Sequence, residues 1–207
     1  MQEKAFFHEQ SRALQDRFDT RRLADRIEDV LVHDRFDEHD REFIEARDMF
    51  FLATADTDGN PQVSYKGGDP GFVKVVDDRT LAFPNYNGNG MYLSMGNVAA
   101  NPHVGMLFID FERRNRMRVN GDASIEMDDP LLGRWPEAQF VVRVQPREIF
   151  PNCPRYIHRM TKVETSAFVP REDCVTPVPE WKRNDWALDV LPADDPARDP
   201  GASVRPE

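Results

Sequence analysis

Residues 49–66 read MFFLATADTDGNPQVSYK, and they set the class of the chain. MFFLATA (49–55) is a compact apolar run of strand length. Asp58-Gly59, inside DTDGNP (56–61), is a turn signal, because glycine accepts the left-handed backbone of a tight reversal. In PQVSYK (61–66) side chains alternate, so Ser64 and Lys66 share one face and Val63 and Tyr65 the other. The stretch predicts a β-hairpin.

The pattern continues downstream. GGDPG (67–71) breaks the chain, and FVKVV (72–76) and RTLAFP (79–84) flank Asp77-Asp78 as a second hairpin. NYNGNGMYLSMGNVAAN (85–101) starts with loop composition and predicts a helix from Met91 to Ala100, ended by Pro102. HVGMLFIDF (103–111), NRMRVNGDASIEM (115–127) and QFVVRVQPREIF (139–150) predict further strands, the last broken at Pro146. Six or so strands with short turns and one inserted helix predict an antiparallel barrel. Upstream, TRRLADRIEDVLV (20–32) predicts a helix capped by Thr20, with Leu23, Ile27, Val30 and Leu31 on one face. DEHDREFIEARD (37–48) predicts a second short helix with Phe43 and Ile44 as its apolar contacts.

A length of 207 residues suits one domain with extensions. The expected divisions are a helical extension (1–48), the barrel (49–150), an irregular segment (151–191) and a disordered tail (192–207). Ten of the 16 prolines follow residue 145, yet Phe168, Trp181, Trp186, Leu188 and Leu191 are apolar anchors, so 151–191 is expected to pack on the barrel or on a partner. The formal charge of −10 argues against nucleic acid and anionic membranes as partners. That acidity sits at the ends: residues 1–48 carry 9 basic and 14 acidic side chains, 164–207 carry 5 and 10, and 49–163 carry 13 of each. A neutral barrel can still host an anion. No stretch is apolar enough to span a bilayer, MQEKAFFHEQSR at the start lacks a signal-peptide core, and Cys153 and Cys174 make no disulfide framework. A cytoplasmic, reduced protein is expected.

Candidate chemistry is concentrated in three places. Asn85, Asn87, Asn89, Ser94 and Asn97 alternate with Gly88, Gly90 and Gly96, ahead of a helix start, which suits a phosphate; the alternative is an ordinary Asn/Gly loop. Arg116 and Arg118 share a strand face and can clamp a phosphate, or else pair with Asp110, Glu112 or Asp122. Lys66, before Gly67-Gly68, can reach a cofactor ring or a phosphate, or be a surface lysine at a turn. Cys153 and His158 in FPNCPRYIHRM fall short of the ligand set that zinc needs, so no metal site is expected; as nucleophile and base they lack a third element. There is no GxxxxGK[ST] loop, no GxGxxG after a strand, no GxSxG and no HExxH.

The order and spacing of RDMFFLATAD (47–56), GNPQVSYKGGDPGFVKV (59–75), LAFPNYNGNG (81–90), NVAANPHVGMLFIDF (97–111) and RMRVNGDASI (116–125) resemble the pyridoxamine 5′-phosphate oxidase-like family of flavin mononucleotide (FMN)-binding split barrels. The resemblance covers about residues 47–150. FPNCPRYIHR (150–159) is similar to the segment that follows the barrel in a subgroup of that family. The resemblance implies a mainly β (α+β) fold, an antiparallel split β-barrel with N-terminal helices and one inserted helix. It implies a homodimer with FMN at the interface and a small-molecule substrate. Carried over by position, the cofactor-binding residues are Gln62, Val63, Ser64 and Lys66 on the second strand, Phe83, Pro84, Asn85 and Asn89 after the fourth, and Ser94 and Asn97 beyond them. Arg116 and Arg118 face the cofactor, and Trp186 is the aromatic contributed by the C-terminal part. Pyridoxamine phosphate oxidases proper carry an Arg-Lys pair at the phosphate loop, whereas this chain has no Lys or Arg between Arg79 and Arg113. Their C-terminal substrate pattern is also not visible, so pyridoxamine phosphate is not the expected substrate. The implied activity is FMN-dependent oxidoreduction. The alternatives are a flavin carrier or redox sensor, or the same barrel with a deazaflavin; haem would rest on His103 or His158.

Overall fold

The computed structural model describes residues 6–206; residues 1–5 of the expected helical extension and residue 207 of the expected tail lie outside them. β1 (Met49–Ala55) and β2 (Pro61–Gly67) form the first hairpin, with Gly59 at φ 84° in its turn. β3 (Lys74–Asp77) and β4 (Thr80–Asn85) form the second. β5 (His103–Asp110), β6 (Asn115–Glu126) and β7 (Phe140–Pro151) complete an antiparallel sheet of order β2-β1-β5-β6-β7-β4-β3. The fold is a split barrel.

Alternation along the strands separates two faces. Phe50, Leu52, Met106, Phe108, Met117 and Val119 point inward and are buried. The Phe50 ring meets those of Phe83, Phe108 and Phe72 at 5.0, 5.2 and 5.8 Å. Phe51, Leu107 and Ile109 lie between them on the outer face, only partly covered. The inserted helix α4 (Leu93–Ala100) packs on β1 and β6 and buries Met95 and Val98.

β7 is continuous through Pro146, where a break is expected from sequence. Its register against β6 shifts between Asn120 and Gly121, so that Asn120 faces Glu148 and Gly121 faces Pro146. The extra residue makes a bulge, which bends the strand and is a place where a proline's missing N–H does least harm. Gly121 fits because any Cβ there would lie 2.2 Å from the Gln145 carbonyl oxygen.

Three helices precede the sheet. α1 (Glu9–Arg17) has little apolar periodicity and was not legible; His8 caps it, and Arg12 pairs with Asp25 and Glu28 of α2 (Arg21–Leu31). Thr20 stands at the start of α2 but its side chain makes no capping bond. The α2 stripe Leu23, Ile27, Val30 and Leu31 is exposed. α3 (Glu38–Glu45) begins with an Asp37/Asp40 capping box and buries Ile44. No helix among the described residues is long and apolar enough to cross a membrane.

Residues 151–206 run back over the barrel, held by cations on its acidic rim. Lys162 reaches Asp48 at 2.5 Å, and Arg171 grips Asp69 through two bonds of 2.6 and 2.8 Å. The segment contains β8 (Val178–Pro179) and α5 (Asp185–Leu188). Within residues 192–206, β9 (Val204–Arg205) pairs in parallel with β8, and Asp195 and Ala197 are buried. The anchor is a buried ion pair between Lys182 and Asp195, which composition conceals.

Replacing Gly121 with alanine forces the β6–β7 backbones apart and is expected to cost about 1–3 kcal/mol, read by urea unfolding. Gly133→Ala, whose Cβ would meet nothing within 4 Å, is the matched control and stays within about 0.5 kcal/mol of the parent. Equal stabilities of the two variants would refute this account of the bulge.

Candidate functional site

β2 is an edge strand, so one side of it is free for other partners. Its register places Lys66, Ser64 and Gln62 opposite Phe50, Leu52 and Thr54 of β1. These three side chains therefore stand on the inner face of the sheet. The loop after β4 and the start of α4 come down over them, and Ser94 Oγ meets Ser64 Oγ at 2.9 Å. Between strand and loop lies an open cleft of about 420 Å³, whose walls include Gln62, Ser64, Lys66, Asn85, Asn89 and Ser94.

The loop is shaped by its amides. Asn85 donates to the Tyr86 carbonyl and to Gln139 Oε1, and Tyr92 OH donates to the same Gln139 oxygen at 3.1 Å. Asn89 Oδ1 accepts the Met91 N–H at 3.1 Å. Gly90 has φ 77° and Tyr92 φ 48°, both left-handed, so the chain turns sharply into α4. No side chain caps α4, which leaves its first N–H groups open at the cleft.

Lys66 gives the cleft its electrostatic character. It is half-buried, and it has neither a hydrogen-bond nor an ion-pair partner among the described residues. Burial pushes its ammonium below the ordinary 10.5. Tyr86, also in the wall, is pushed up to about 12, first by burial and then by the Asp69 and Glu137 carboxylates. It stays a neutral hydroxyl across the physiological range.

Six of the residues carried over by position thus meet at one cleft, with Val63 at its exposed rim. The others stand elsewhere. Phe83 is a core residue and Pro84 is buried beside it, so neither side chain offers a surface. Asn97 spends its Nδ2 on Thr54 Oγ1 at 3.1 Å and holds α4 to β1. Arg116 and Arg118 face outward, opposite Ile109 and Leu107, and do not reach the Asn/Gly loop of the same chain. Arg116 donates to the Cys153 carbonyl at 2.9 Å, and its Nε is buried without a partner among the described residues. Trp186 is 69% exposed and stacks on Trp181 at 5.7 Å, outside the cleft. Tyr86, Tyr92 and Gln139 were missed, because nothing in their local sequence ties them to β2. His103 is exposed and bonded to Asp122. His33, Asp37 and Asp40 lie within 4.8 Å of one another, but the two carboxylates cap α3 and His33 Nε2 is bonded to Asp40 at 2.7 Å.

Among solved structures, a putative pyridoxamine 5′-phosphate oxidase from Lactobacillus delbrueckii is 25% identical, covers 57% of this chain and 95% of its own, and gives a TM-score of 0.47. HupZ from Group A Streptococcus is 22% identical over 56% of this chain and 93% of its own, with a TM-score of 0.45. An FMN-binding protein from Syntrophomonas wolfei is 12% identical over 68% and 97%, at 0.44. No curated protein matches the chain. The family model described as Pyridoxamine 5′-phosphate oxidase matches residues 36–153, from the residue before the α3 cap to just past β7. That span takes in every strand of the sheet and more than half of the sequence: the chain belongs to the pyridoxamine 5′-phosphate oxidase family.

Proposed function

We propose that the cleft between β2 and the 85–92 loop binds FMN and that the chain is a flavoprotein oxidoreductase acting on a small molecule. The observation that carries this reading is Lys66, a half-buried ammonium without an anionic partner among the described residues, in the wall of an open cleft. Lys66 and the uncapped start of α4 would meet the phosphate, and Ser64, Ser94 and Asn89 would bond the cofactor's polar edges. Bound FMN supplies the electron or hydride chemistry. The chain's own residues bind and orient it, and Tyr86 donates a hydrogen bond from a hydroxyl that does not ionise at working pH.

A homodimer is part of the same proposal. Val63 and Tyr65 are exposed on the outer face, beside the partly covered Phe51, Leu107 and Ile109. A second copy seated there would cover these side chains and give Arg116 and Arg118 an inter-chain role. One observation favours a second reading as a flavin carrier or sensor: no Asp, Glu or His lines the cleft among the described residues, so no acid–base pair is in place. A deazaflavin shares the ring shape and phosphate and is the rival ligand.

Titrating the apoprotein with FMN should turn it yellow and stabilise it by about 2.7 kcal/mol at a hundredfold excess over Kd. Riboflavin and a deazaflavin phosphate serve as comparisons. FMN is expected to bind about tenfold or more tightly than riboflavin, and Lys66→Met to erase most of that difference. No colour and no shift would sink the flavin reading. Light scattering of the FMN-loaded protein at micromolar concentration should give twice the chain mass; a single-chain mass would rule out the dimer.

Lys66→Met has a second, opposite effect. Because the folded-state pKa is depressed, the unfolded chain binds more protons between that value and 10.5, so native stability rises with pH through this window. The penalty on the native state is present in full below the window and gone above it. The apo variant should therefore be more stable than the parent at pH 7, with the gap closing towards pH 10.5. Urea midpoints across pH read this, and a gap that widens with pH would contradict it.

A further inference from the structure

We infer that the chain has a second chamber, next to the cleft, that binds a flat, uncharged ring compound. A cavity of about 720 Å³ lies between residues 86–89 and the C-terminal segment. That is within the usual range for small-molecule sites. Tyr86, Phe168 and Trp181 supply ring faces, and Pro170, Pro177 and Pro179 supply rigid apolar walls. Such walls favour a planar ligand, since ring faces stack and prolines do not rearrange.

The polar groups define its charge. Lys182 is the only cationic side chain in the lining among the described residues, and it is already spent: its Nζ lies 2.7 Å from both Asp195 Oδ2 and Asn87 Oδ1. Lys182 and Asp195 are 5% and 6% exposed, so the pair is sealed and cancels itself. Glu137, exposed at the same wall, leaves the chamber without a positive surplus. A carboxylate or phosphate would be desolvated there without a counter-ion, which is costly. A carbonyl or hydroxyl is welcome, because Thr176 Oγ1 in the lining is buried with no partner among the described residues.

The chamber is built rather than left over. The Arg171–Asp69 pair and the Lys182–Asn87 bond tie the segment to the barrel on two sides of the space. Tyr86, Gly88 and Asn89 line both cavity and cleft, so a compound in one abuts the contents of the other. Only the role of that compound as the flavin's substrate rests on the flavin reading; its binding does not.

The experiment is calorimetric titration of the apoprotein and the FMN-treated protein at pH 7 with 2-naphthol and 2-naphthoate, one ring system in neutral and anionic form. 2-Naphthol should bind one to one and about tenfold or more tightly than 2-naphthoate. Thr176→Trp, which fills the chamber, should abolish 2-naphthol binding, and Phe168→Ala should weaken it about fivefold. Circular dichroism checks that each variant is folded, so either one suffices if the other is not. No heat from 2-naphthol up to about 1 mM, equal affinity for the anion, or unaltered binding in folded variants overturns the inference. FMN binding without 2-naphthol binding removes the chamber and keeps the flavin reading; 2-naphthol binding without FMN binding does the reverse.

Discussion

The two edge strands of the sheet, β2 and β3, are consecutive in the chain. Seven strands laid flat would separate them by roughly 29 Å at ordinary strand spacing. Gly67 and Lys74 are joined by a link that spans at most about 25 Å fully extended, and that link is not extended. The Phe72 N–H bonds to the Asp69 carbonyl, and Gly71 takes φ 89°. The sheet therefore has to curl until its edges approach. The bend in β7 at the Gly121 bulge supplies part of that curl, and the phenylalanines around Phe50 fill the space it encloses. The cleft follows from the same constraint. Its residues come from β2 and from the loop leaving β4, and curling is what brings the two together.

A cleft at a sheet edge has a cost that the rest of the molecule must absorb. Ser64 and Lys66 point inward on a strand with one unpaired side, so polar groups meet the barrel interior where apolar ones would stabilise it more. Ser64 finds Ser94. Lys66 finds no partner among the described residues. A half-buried cation at a concave surface is the kind of local conflict that points to a candidate binding site.

The barrel was legible because short strands with turn chemistry declare themselves locally. Asp58-Gly59, Asp77-Asp78 and Pro102 each fall where an element ends. The same local reading put Ser64 and Lys66 on one face, and both line the cleft. It failed where position depends on distant chain. Arg116 and Arg118 are correctly paired on one face, but alternation does not say which face is inside, and Met117 and Val119 took the core. Pro146 reads as a break unless one knows that Gly121 lies opposite. The large apolar residues of 151–191 announce a segment that packs, but not where, because the bonds that seat it, Lys162 to Asp48 and Arg171 to Asp69, cross more than a hundred residues.

Charge carries the argument furthest. The chain has 27 basic and 37 acidic side chains, so a cation finds a carboxylate easily. Lys74 pairs with Glu45, Arg47 with Asp110, Arg143 with Asp129 and Lys182 with Asp195. Even the exposed Lys162 has Asp48. Partnering is cheap at a surface and close to obligatory under cover. Lys66 is under partial cover in a strongly acidic protein, and no carboxylate lines its cleft among the described residues. Had the position served only the fold, an apolar residue would fill it at lower cost, or one of the surplus acids would answer it. The proposed anionic cofactor would answer that charge, and a neutral barrel between two acidic ends would spare it repulsion at the wall.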